Sequence, residues 1–284
     1  MNFGVGVPNV ADFADPVLLI DLAREAEAAG WDGFFVWDHL LYSLPRPGAV
    51  EPWSVIAAAA TVTNHIRVGV LVTAVPRRRP ALLAQQVATI DLLSGGRTVF
   101  GAGLGSMPEE YARFGEDSGD VARGRRLDEA LSLLQALWSP GLVQHRGEFF
   151  TVDAVELLPK PAQRPHPPIW IAGRWPNKAP FRRAARFDGV MPTHASHPHG
   201  SYMSVGELSE VVEYVRSHRS HRAPFDVVME GESSDPDQLD QLAAAYGDAG
   251  LTWWIEKLGW WRGEPDAALA RVRTGPPRDR PERR

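Results

Sequence analysis

The 284 residues carry thirty basic and thirty-five acidic side chains, a formal charge of −5, which suits one α/β barrel and gives no reason to expect a nucleic-acid partner. The absence of cysteine rules out disulfides, thiolate metal sites and cysteine nucleophiles. No apolar run approaches the roughly 20 residues that span a bilayer, and Met1 leads straight into a strand, so a cytoplasmic protein with no membrane partner is expected.

Along the chain, strands alternate with amphipathic stretches. The first candidate strand, Asn2–Pro8, is followed by a helix that Pro16 opens and Gly30 stops, with Leu19, Leu22, Ala23 and Ala26 on one face. Gly33–Asp38 and Ile66–Ala74 are the next strands, then a helix opened by Pro80 with Leu83, Val87 and Ile90 on its buried side, ending at Gly95. Arg97–Gly103 is the fourth strand, and Leu127, Leu131, Leu134 and Trp138 mark a long helix after it. The segment Leu142–Leu158 reads as a small hairpin or flap inserted before the fifth strand, Pro168–Ala172. Gly189–Pro192, Phe225–Glu230 and Leu251–Glu256 complete a set of eight. Eight strands each followed by a helix predict a TIM-like (β/α)8 barrel, whose chemistry sits at the carboxyl ends of its strands. The competing architecture is a doubly wound open sheet. A single domain over residues 1–273 is expected, with an insertion between about 104 and 160 after strand 4. The Pro- and Arg-rich tail 274–284 is expected to be disordered.

The run GWDGFFVWDHL (Gly30–Leu40) is a strand apolar on both faces that ends in Asp38 and His39. An imidazole beside a carboxylate at that end suits proton transfer, His39 as general acid or base and Asp38 orienting it or capping the next segment; a helix cap and a satisfied histidine is the alternative. GAGLGSM (Gly101–Met107) is not a dinucleotide fingerprint, because Ser106 stands where the third glycine belongs. Gly103 and Gly105 either relieve crowding or admit close approach of a flat ring. In AGRWPNK (Ala172–Lys178), Ala172, Gly173, Arg174 and Lys178 lie where a helix opens after a strand, an anion site of the kind that holds phosphate. Arg77, Arg78 and Arg79 form either a solvated patch or a second anion-binding group. Ten tryptophans are many for this length, and Trp37, Trp175 and Trp253 are candidate walls of an apolar substrate pocket, with core filling as the alternative. Trp253 and Trp254 point to opposite faces of their strand, so at most one enters the barrel. The cluster His194, His197 and His199 raises a rival reading as a metal-dependent hydrolase barrel, but no His-x-His lies on the first strand and no metal ligand is assigned. A non-catalytic ligand-binding barrel is the third possibility.

Four segments, Gly30–Leu40, Ile66–Gly105 with its LSGGR, Arg123–Phe150 and Leu157–Pro192 with PKP…PPIWIAG, together resemble the bacterial luciferase-like superfamily of flavin-dependent oxidoreductases. The resemblance implies a TIM-like barrel with an insertion after strand 4. It also implies redox chemistry between a reduced flavin-type cofactor, coenzyme F420 or FMN, and a small organic substrate. The Asp-His strand end and the arginine run, which could meet the acidic tail of the deazaflavin, favour F420 slightly. With FMN and oxygen the chain would act as a monooxygenase, with a separate flavin reductase as an implied partner, and a homodimer is expected. Leu71–Val72 falls where many members carry a cis peptide against the cofactor ring; an ordinary core strand is the alternative. Ser106 stands where the deazaflavin sugar-phosphate dehydrogenases carry a catalytic Glu, and Ser43 where they carry an aromatic residue, so that particular activity is not expected.

Overall fold

A computed structural model describes residues 1–42, 48–116, 119–197 and 202–277. Its strands are β1 (Asn2–Val7), β2 (Gly33–Val36), β3 (Arg67–Ala74), β4 (Thr98–Gly103), β5 (Val143–Arg146), β6 (Thr151–Val155), β7 (Ile169–Trp175), β8 (Gly189–His194), β9 (Asp226–Gly231) and β10 (Trp253–Lys257). The helices are α1 (Pro16–Ala28), α2 (Pro52–Val62), α3 (Pro80–Leu93), α4 (Glu109–Ala112), α5 (Asp120–Trp138), α6 (Lys178–Ala184), α7 (Val205–His218), α8 (Pro236–Asp248) and α9 (Pro265–Thr274). Eight parallel strands close in the order β1-β10-β9-β8-β7-β4-β3-β2, and β5 and β6 pair antiparallel outside them. The barrel and the inserted hairpin therefore appear as the alternation predicts, and the open sheet does not. Among the described residues no helix is long and apolar enough to cross a membrane.

Local chemistry sets the element ends. Proline occupies the first turn of α1, α2, α3, α8 and α9, where its missing N–H costs nothing. Asp15, Glu51, Ser204 and Asp235 cap the helices that follow them. In LSGGR, Gly95 and Gly96 take φ of +66° and +87°, which favours glycine. They deliver Arg97 to five oxygens: the carbonyls of Ala60, Thr63, Ile66 and Ser94 and the Thr63 hydroxyl. This arginine ties the end of α2 to the strand it precedes, at the amino-terminal floor of the barrel. Glu129 on α5 anchors the hairpin by accepting from the Phe149 and Phe150 N–H groups and facing His145 Nε2 at 2.9 Å.

Two apolar layers result. Inward side chains of alternate strand positions, among them Phe35, Val99, Trp170, Met191, Val228, Trp253 and Ile255, fill the barrel. Outward ones pack with the predicted faces of α1, α3 and α5 into the larger core. Each such aliphatic or Phe side chain contributes about 1.5–3 kcal/mol. The expected tail boundary needs correction. Thr274 belongs to α9, Arg273 pairs with Glu25 on α1, and the Gly275 carbonyl accepts from Arg271. The described residues run to 277, and 278–284 lie outside them.

Candidate active site

His39 sits just past the end of β2, in the barrel mouth. The side chain of Asn9, beyond β1, accepts from the His39 N–H at 3.0 Å and donates to its carbonyl at 2.8 Å, so two strand ends fix this backbone. The imidazole Nδ1 lies 3.1 Å from Glu110 Oε1 on α4. The same oxygen accepts from the Leu40 and Leu41 N–H groups at 2.6 and 2.9 Å, while Oε2 takes Arg77 Nη1 at 2.5 Å. Burial alone would raise the Glu110 carboxyl, but the His39 hydrogen bond and the Arg77 charge outweigh it and hold it below its ordinary value. An ionised Glu110 accepts only, so Nδ1 carries a proton and Nε2 is left as the ring's working atom, base when neutral and acid when charged. Sequence reading missed Glu110, because PEEY offers no signal beyond two acids at a helix start.

Asp38 does not orient His39, which corrects that expectation. Its buried carboxylate accepts from the Ala74 N–H at 3.0 Å and from Arg78 Nη2 at 3.0 Å, with Arg77 Nη2 at 3.2 Å. Burial would raise its pKa; Arg78 and then Arg77 overcome that and hold it low. Asp38 thus pins β2 to the turn after β3. Arg77 and Arg78 are thereby engaged within the protein, with Glu51 as a further partner of Arg78, so neither is an open anion site.

On the other side of the mouth the structure gathers several of the residues assigned to a cofactor. The Leu71–Val72 peptide is cis. A Cβ on Gly103 would meet Val72 Cγ2 at 2.7 Å and Ala172 Cβ at 3.7 Å, so Val72, Gly103 and Ala172 form one continuous floor of small side chains. Val72 and Ala172 are half-buried, Leu71 is below them in the barrel core, and the exposed Arg174 is the next inward residue after Ala172 on β7. Among the described residues its guanidinium makes one long bond, 3.3 Å to the Ala195 carbonyl. The floor with one open guanidinium fits a flat ring that carries a phosphate. Gly173 faces outward, where a Cβ would meet Pro180 of α6 at 2.6 Å, and Gly105 packs toward Tyr111. Lys178 is directed away from the mouth, its Nζ over the Trp175 and Tyr214 rings at 3.2 and 4.5 Å from their centroids.

The three tryptophans separate. Trp37 lines the mouth, half-buried, its Nε1 donating to Glu230 Oε1 at 3.1 Å. Trp175 is corrected: it packs outward against Phe181 and Tyr214. Trp253 is corrected too. It enters the barrel, but as the first residue of β10 beside Asn2, at the end opposite the mouth. Mouth aromatics come instead from Tyr42, Trp260 and Trp261. Ser43 and His199 lie outside the described residues. His194 and His197 face one oxygen of Glu207, at 3.7 and 3.1 Å from their Nε2 atoms. His194 Nδ1 accepts from the Ser196 N–H at 3.2 Å, and one ligand atom from each of His194, His197 and Glu207 lies within 4.8 Å of the others.

Comparison with known proteins gives the family. Residues 3–254 match the family model described as luciferase-like monooxygenase. The oxygenase component of a flavin-dependent trigonelline monooxygenase from Acinetobacter baylyi is 32% identical over 163 residues, 57% of this chain and 44% of that protein. An F420-dependent glucose-6-phosphate dehydrogenase from Amycolatopsis mediterranei is 32% identical over 193 residues, covering 66% of this chain and 57% of that one. In fold, the crystal structure of the monooxygenase RslO1 from Streptomyces bottropensis superposes with a TM-score of 0.77 at 21% identity, over 96% of this chain and 97% of the other. A closed eight-stranded barrel that the family model matches over residues 3–254, this chain belongs to the luciferase-like monooxygenase family of oxidoreductases.

Proposed function

We propose that the chain couples a reduced flavin-type cofactor, F420 or FMN, to a small organic substrate in the barrel mouth, with His39 as the proton-handling group. The contact that carries this reading is His39 Nδ1 to Glu110 Oε1, because a buried, ionised partner fixes the tautomer and leaves Nε2 free to serve the reacting molecule. Val72, Gly103 and Ala172 would lie under the ring, and Arg174 would meet its phosphate. Reduced F420 would supply hydride, whereas reduced FMN would activate oxygen. Engagement of Arg77 and Arg78 removes one of the two reasons for favouring F420, and relatives of both kinds leave the choice to experiment. If FMN is the cofactor, a separate reductase is the implied partner, as the name of the Acinetobacter oxygenase component suggests. A homodimer is the assembly we propose, measurable by light scattering.

The test is titration of the purified chain with F420 and with FMN, oxidised and reduced, followed by fluorescence. Saturable binding of one, weakened by Arg174→Ala, is expected. Saturable binding of neither overturns the reading.

A further inference from the structure

Facing the small-residue floor is a wall of aromatics. Trp37 and Trp261 lie parallel with centroids 5.6 Å apart, Trp260 meets Trp37 edge-on at 6.3 Å, and Tyr42 links Trp260 to His39. One cation enters this wall. Lys257 ends β10 two residues beyond Ile255, an inward core residue, so it projects into the mouth. Its Nζ lies 5.2 Å from the Trp37 centroid and 5.3 Å from that of Trp261. The nearest carboxylate oxygen is Glu230 Oε2 at 3.8 Å, beyond hydrogen-bond distance, and the other Glu230 oxygen already accepts from Trp37. Among the described residues the ammonium makes no hydrogen bond, although its side chain is only 13% exposed.

A partly enclosed ammonium with no hydrogen-bond acceptor among the described residues, its nearest carboxylate oxygen 3.8 Å away, is an incomplete site. Both indole faces are already turned to a cation, so a second cation would be repelled there, while an oxyanion would complete the ammonium's hydrogen bonds. The His39 ring stands edge-on to the same Trp37 indole at 6.0 Å, so the ammonium and the imidazole flank one indole.

We propose that Lys257 is the anion anchor of the substrate half, and that the substrate is a flat organic acid whose ring lies on the aromatic wall and whose carboxylate meets the ammonium. Lys257 has this role only if the mouth is the reaction site proposed above. The test is binding of benzoate, benzamide and benzylamine to the full chain, with and without cofactor, by calorimetry and tryptophan fluorescence. Benzoate should bind at least tenfold tighter than benzamide, and benzylamine weakest. Lys257→Met should abolish the preference for benzoate without changing benzamide binding, and Lys257→Arg should retain most of it. Glu230→Gln keeps an acceptor for Trp37 and removes the competing charge, so benzoate should bind several-fold tighter; this arm stands even if Lys257→Met does not fold. Equal binding of benzoate and benzamide, tightest binding of benzylamine, or an unchanged preference in Lys257→Met overturns the anchor. Because cofactor titration is read separately, loss of the anchor with intact F420 or FMN binding leaves the proposed chemistry standing, and the converse result separates them the other way.

Discussion

Glu110 and Lys257 are both charged groups in the barrel mouth, yet their surroundings are opposite. Glu110 is fully buried and saturated: two backbone N–H groups, a guanidinium and an imidazole all converge on it. Lys257 is only partly enclosed, its side chain 13% exposed, and its ammonium has no hydrogen bond among the described residues. A saturated carboxylate has nothing left to offer a ligand and serves to hold other groups still, here His39 and the loop behind it. The ammonium beside the aromatic faces, with Glu230 Oε2 3.8 Å away, is the group proposed above to receive a ligand. One side of the mouth thus positions other groups, and the other is the proposed receiving side.

The sharpest way to break this contrast is at Glu110. Glu110→Ala leaves Arg77 buried without this partner and frees three N–H donors, and it should cost about 3–5 kcal/mol in urea unfolding, with turnover falling as well. Stability unchanged within 1 kcal/mol, on the order of a surface substitution, would show that the saturated side is not a structural unit. His39→Ala comes next. Turnover should fall by about 10²–10⁴ while the unfolding midpoint and cofactor affinity stay near wild type. Full single-turnover activity would reduce His39 to a structural residue.

Acid titration sharpens the same contrast. Asp38 and Glu110 both have folded pKa values below their ordinary ones, so their contribution is complete above about pH 4.3 and is lost as pH falls through the folded values. Glu110→Gln should flatten part of that acid limb, visible as a smaller difference in urea midpoint between pH 6 and pH 3. The smallest effect is expected at the barrel's opposite end. Burial raises the Asp226 carboxyl, despite hydrogen bonds from Thr252 and Trp170, so its ionisation costs stability as pH rises. Asp226→Asn keeps an acceptor for the Trp170 indole and turns its amide N–H toward the Thr252 hydroxyl, and it should raise the unfolding midpoint slightly at pH 8, with activity unchanged. A lowered midpoint there would show that Asp226 is stabilising when charged.

Periodicity and punctuation were enough to place all eight barrel strands, the inserted hairpin and the buried faces of α1, α3 and α5, because burial on both faces and helical spacing are local properties of a chain. The position of His39 at a strand end was legible for the same reason. Motif specificity was a poorer guide to role: LSGGR, among the clearest marks of resemblance, builds the floor of the barrel through Arg97 and lies away from the mouth. The partner of His39 could not be read from the chain, since Glu110 lies 71 residues away and only closure of the barrel brings α4 over β2. Asp38, adjacent to the histidine, looked like that partner and instead binds the turn after β3. The same holds for the tryptophans. Alternation allows at most one of Trp253 and Trp254 inside the barrel; that it is Trp253, and which end of the interior it reaches, depends on strand register, and β10 pairs with β1 so that Trp253 lies beside Asn2 and Lys257 beside Gly6. Register and closure are set by the whole sheet at once, so the floor and the mouth of the barrel become distinct only in three dimensions.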